Sequence, residues 1–248
     1  MSSVETRLHA FAQRVAALRR APTAGAPARA AIRTFQRDRL VRTHGDLLQT
    51  ERYRLAARFF LDELYGTKDF SERDAELARI IPTMTRLLPS SVLVAIADAI
   101  ELDAISEELD DALAARWQAE AADPAALPSD ADYCGLYRAV GRFDARRRQI
   151  ELVAGIGRDL DRLVGKPLLF RILKSMDRPA RLAGLHRMQA FLVDGFTAFR
   201  AMHGADAFIQ TIVVRETALM DAIAGGADSV ALPVAALADG SRSASRTS

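Results

Sequence analysis

The sequence predicts an all-α protein, a single globular helical domain of about nine or ten helices, and three observations carry that expectation. Apolar residues recur at helical spacing over almost the whole length. Alanine, the best helix former, occurs 46 times in 248 residues. Valine and isoleucine clusters are few and short, and no Asn-Gly or Asp-Gly turn joins alternating segments. The one strand-like stretch, Val230 to Ala236, is too weak to build a sheet.

The helices are expected over 4–20, 28–49, 51–65, 72–88, 91–118, 130–143, 145–164, 167–176, 179–203 and 205–224. The first carries Leu8, Phe11, Val15 and Leu18 on one face with arginines between them, and it forms an N-terminal amphipathic helix over 1–20. Arg14 interrupts it, so it does not read as a secretory leader. The small-residue linker 21–28 follows, and the main helical domain spans 28–227. In the 51–65 helix, Tyr53, Ala56, Ala57, Phe60 and Leu64 form one apolar face, and Leu55 and Phe59 form a second. Two apolar sides place that helix at the centre of the fold. Gly66 suits the left-handed stop behind it, and Ser71 to Asp74 fits a capping box. Pro82 is expected to kink the next helix. The two prolines of 121–132 mark a mid-chain connection where the domain is open to sub-division. The last ten residues, 239–248, contain no apolar side chain larger than alanine and read as a disordered tail.

Composition narrows the function. Lys and Arg total 34 against 32 Asp and Glu, a net charge of +2, which argues against nucleic-acid binding by bulk charge. Only three of the basic residues are lysine, a bias that a GC-rich genome explains without a special partner. One cysteine, Cys134, excludes an internal disulfide and any Cys-rich metal site. No apolar run approaches the ~18 residues of a membrane span, and a cytoplasmic location is expected.

The segment Arg58 to Asp74, RFFLDELYGTKDFSERD, is the most distinctive in the chain. Phe59 to Tyr65 resembles the motif of the bacterial "FFLEELY motif" proteins, with Asp62 in place of one glutamate. The resemblance is strong over 51–89, extends over most of the chain, and implies a proteobacterial-type soluble protein. It implies no activity, and it carries over no catalytic residue.

Two charges stand on apolar stripes. Glu63 falls between Phe59 and Phe60 on the helical wheel, and Arg215 sits between Ile212 and Leu219. A charge in such a place is either a buried pair or the rim of a cavity. The sequence predicts that Arg215 meets Glu63 or a nearby acid such as Asp62, with Glu216 joined to Arg58 or Arg54. His203, at the end of the helix before Gly204, is either a ligand to haem or metal or a helix-end histidine that favours the dipole. The candidate ligand-binding residues are therefore Glu63, Arg215, His203, Arg58 and Glu216.

Named chemistries fail on spacing. There is no Glu-x-x-His pair for a di-iron site and no His-Glu-x-x-His for zinc, so no metal and no cofactor are expected. Gly157 to Lys166 has the wrong glycine spacing for a P-loop, and Gly155 and Gly157 follow no strand. No Gly-x-Ser-x-Gly elbow occurs. Charge is segregated: seven acids and no base from Asp98 to Asp111, and five arginines with one aspartate from Arg138 to Arg148. These faces either compensate one another or orient a protein partner or self-association. The leading expectation is a non-enzymatic protein-interaction or regulatory module. The alternative is a small-molecule binder or enzyme, with haem or an apolar anion in a pocket near Glu63 and Arg215.

Overall fold

The computed structural model describes residues 3–20, 25–64, 76, 79–82, 85 and 90–232, and among these there is no β-strand. The helices are α1 (Ser3–Arg20), α2 (Ala26–Thr43), α3 (Gly45–Gln49), α4 (Glu51–Phe59), a π-helical turn (Phe60–Leu64), α5 (Ser90–Glu120), α6 (Asp130–Val140), α7 (Phe143–Val164), α8 (Pro167–Ser175), α9 (Asp177–Leu182), α10 (His186–Ala201) and α11 (Asp206–Ala224). Residues 76, 79–82 and 85 are also helical. Gly66, the Ser71–Asp74 box and the 239–248 tail lie outside the described residues.

The spine is α5, which is buried along most of its length. Leu8 and Val15 of α1 close on its first half with Leu93, Ala97 and Ile100. The amphipathic N-terminal helix thus docks on its own domain. Ala28, Ile32 and Phe35 of α2 pack on Leu113 of α5, on Tyr133 and Tyr137 of α6, and on Leu219 and Ile223 of α11. The 51–65 region, expected at the centre, instead bridges two neighbouring cores. Phe60 packs against the Tyr53, Ala56, Phe199 and Phe208 cluster and also against the Leu109 and Leu152 cluster beside α5. Leu55 is 49% exposed. The second apolar patch of α4 is therefore covered at Phe59, whose ring sits so close to Gly195 that a Cβ there would lie 2.8 Å from it.

Three expected helices are interrupted, each for a local reason. The 28–49 helix breaks at His44, whose backbone (φ −118, ψ 20) leaves the helical region before Gly45. The 51–65 helix widens into a π turn over the motif. The 179–203 helix divides at Gly184, which takes φ +65 while the Leu185 N–H donates to the Ala180 carbonyl at 2.8 Å. That is the left-handed glycine stop that the apolar periodicity alone conceals. A real capping box starts α6, where the Ser129 side chain accepts from the Asp132 N–H and Asp132 accepts from the Ser129 N–H.

The acidic run of α5 is paired within the chain. Arg7 reaches Asp98 and Glu101, each at 2.8 Å, and Arg148 reaches Glu101 at 2.8 Å. Arg14 and Arg142 hold Glu108. Glu107 is only 1% exposed, yet three guanidinium groups meet it: Arg19 at 3.2 Å, Arg33 at 2.8 Å, and Arg29. Burial pushes the Glu107 carboxyl up, and the charges of Arg33, Arg19 and Arg29 outweigh it and hold the carboxyl low. Next to it, Asp110 is pushed up to about 6 by burial, with Arg33 acting the other way and Glu107 adding like-charge repulsion.

Candidate functional site

The break at His44 turns an imidazole inward. His44 is 7% exposed and lies on a line with Leu40 and Leu47. Its Nε2 is 2.9 Å from Glu216 Oε1, and both Glu216 oxygens lie 2.6 Å from Arg39 Nη1. Burial raises the Glu216 carboxyl, but the Arg39 charge and the hydrogen bond from His44 bring it down to about 2. Glu216 is therefore an ionised acceptor at neutral pH. Nε2 carries the hydrogen that it donates, and Nδ1 is left as the free end of the ring. Nδ1 is buried and has no hydrogen-bond partner.

A cavity of about 70 Å³ adjoins this group. Its walls are Leu47, Phe60, Leu61, Val153, Phe208 and Ile212, with His44, Glu216 and Gln149 as the polar members. The lining comes from α2 and α3 on either side of the His44 break, from α4 and the π turn, and from α7 and α11. Close approach of the last two depends on Gly157, where a Cβ would stand 2.7 Å from Ile209. The π turn matters here because the widened backbone sets both Phe60 and Leu61 of the motif against the cavity. Among the described residues no serine, threonine, cysteine or lysine lines it, and its polar members are His44, Gln149 and Glu216. Among the described residues no three histidines, cysteines or carboxylates come together to hold a metal.

The structure separates the residues expected to form one site. Arg215 is buried, but it does not meet Asp62. Its guanidinium donates to Asp46 at 2.6 and 2.8 Å and to the Thr43 carbonyl at 3.0 Å. The break at His44 brings Asp46 over α11, and the forked pair follows. Hydrogen bonding from Arg215 holds the Asp46 carboxyl below its usual range. Asp62 instead faces Arg37 at 3.5 Å. The Glu63 side chain lies outside the described residues. Glu216 is at the site, with Arg39 and His44 as partners in place of Arg58 or Arg54, both of which are exposed. His203 is exposed at a left-handed position (φ 51), and its carbonyl accepts from Arg52 at 3.4 Å. The sequence reading missed His44 and Arg39. The available signal was the Leu40, His44, Leu47 spacing, which puts a histidine on an apolar stripe.

The fold and the site define an all-α protein with a small apolar cavity beside a buried arginine and histidine that share the half-buried Glu216. The chain belongs to the family described as Domain of unknown function (DUF8198), whose model matches residues 16–230. No curated protein and no solved structure matches it.

Proposed function

We propose that the protein is a non-catalytic binding module that holds a small, largely apolar molecule with an O–H or N–H donor in the cavity beside His44. One observation carries this reading: His44, whose buried Nδ1 lacks a partner, lines an apolar space. An unsatisfied buried acceptor is costly, and a ligand donor relieves that cost. A cavity of about 150 Å³ takes benzene, so this one suits a group of about three heavy atoms, or the end of a longer chain. Haem is far larger. The acids of α5 are paired inside the chain, so the reading does not depend on them as a steering surface. We assign residues 59–65 to the FFLEELY motif on their sequence, and the bacterial origin we propose rests on that assignment.

The test is a titration of ¹⁵N-histidine-labelled protein with ethanol, 1-propanol and 1-butanol, followed at the His44 ring nitrogens. Saturable shifts at Nδ1 are expected, and Ile212→Phe, which fills the cavity, should abolish them. Ring signals that ignore all three alcohols, or that respond equally in the filled variant, would overturn the reading.

A further inference from the structure

The stretch from Lys166 to Arg187 is unlike the rest of the surface. In α8, Leu169, Phe170 and Leu173 turn toward the fold, and Phe170 stacks on Phe196 with ring centres 5.7 Å apart. Gln189 of α10 holds the Leu173 carbonyl. The adjoining part of the same apolar arc is left uncovered. Leu168, Ile172 and Met176 are 60%, 49% and 46% exposed. They stand at i, i+4 and i+8, so they form one line along the helix. Leu182, at the end of α9, is 83% exposed. The same stretch holds six lysines and arginines (Lys166, Arg171, Lys174, Arg178, Arg181 and Arg187) and one acid, Asp177. Asp177 is taken by Arg181 at 3.1 Å. Arg171 and Arg178 are exposed and pair with no acid among the described residues.

We infer that the α8–α9 face docks on the surface of an anionic lipid bilayer, with Leu168, Ile172 and Met176 entering the headgroup boundary and Arg171 and Arg178 meeting lipid phosphates. An aliphatic line flanked by cations of one sign is the pattern of an interfacial helix. A second copy of the chain is disfavoured, because a two-fold contact would set this cationic face against itself. No helix among the described residues is long and apolar enough to cross a membrane, so contact through this face is peripheral. A single short helix gives weak, reversible attachment, and the arginines make it salt-sensitive.

The full-length protein is floated with phosphatidylcholine vesicles and with vesicles containing phosphatidylglycerol. Binding to the anionic vesicles alone is expected, and it should fall as salt is raised. Leu168→Ser with Ile172→Ser and Met176→Ser should abolish it without lowering the melting temperature, since all three are exposed. Arg171→Ala and Arg178→Ala should each weaken it by roughly fivefold. This second set keeps the test decisive if the triple variant misfolds. Failure to bind anionic vesicles, equal binding to both vesicle types, or a dimer that the triple variant dissociates would overturn the inference. An unchanged response of the arginine variants would do the same.

Discussion

Glu216 and Asp110 sit on opposite sides of the usual carboxylate range, and their neighbours explain why. Glu216 has a guanidinium and an imidazole donor, and it is held at about 2 against an ordinary value of 4.5. Its contribution to stability is complete above pH 4.5 and is lost as pH falls toward 2. It amounts to about 3 kcal/mol. Asp110 has burial and the Glu107 charge against it, and it stands at about 6 instead of 3.8. The native state then binds the extra proton between those values, so stability falls as pH rises from about 4 to 6. Asp110→Asn should flatten that fall and stabilise the protein by about 1–3 kcal/mol at pH 7. Urea unfolding at half-unit steps from pH 3 to 8 checks both signs. A variant that keeps the wild-type slope between pH 4 and 6 would show that another group titrates there.

Among the elements, α5 binds its neighbours through charge as well as through apolar contact. Glu107 joins α1 and α2 through Arg19, Arg29 and Arg33. Glu107→Ala removes the acceptor these three guanidinium groups share, while Arg19 keeps Asp103, Arg29 keeps Asp111 and Arg33 keeps Asp110, and it should cost about 1–3 kcal/mol in chemical denaturation. Amide exchange should quicken first in α1, which is held to α5 through few buried side chains besides Leu8 and Val15. The contact of α4 with α10 depends on an absence of side chain. Gly195→Ala would drive a methyl group into the Phe59 ring, and a loss of about 1–3 kcal/mol is expected in the same measurement. A neutral result would mean that the ring can slide aside.

For the molecule as a whole, Phe60 and Ile212 each pack against two cores and so couple them. Phe60→Ala should cost about 3 kcal/mol, lower the melting temperature by about 6–12 °C, and leave a single calorimetric transition. Two resolved transitions would separate the cores. The fold class was legible from the sequence because helical periodicity is local, and most helix boundaries lie within a few residues of their expected places. The interruptions were less legible. His44 and Gly184 break helices whose apolar spacing continues across the break, so the pattern hides the turn. The polar site was half legible. Arg215 and Glu216 announced themselves as charges on an apolar helix, but their partners, Asp46, Arg39 and His44, are about 170 residues away. A helical wheel places a residue on its own helix and carries no information about which other helix faces it.

That separation along the chain also sets a clock. Residues 39–46 leave the ribosome long before 215 and 216, the partners that close the cavity floor. At about 5–20 residues per second, Arg39 and His44 wait roughly 9–34 s for the carboxylate that neutralises them. Throughout that interval the nascent protein has an open seam where α11 will lie. A chain arrested at residue 205 should therefore be cut by added protease within the α2–α4 region, while one arrested far enough past residue 232 to clear the exit tunnel should resist. Exposure of that seam to chaperones and proteases ends only when the helix over residues 206–224 docks.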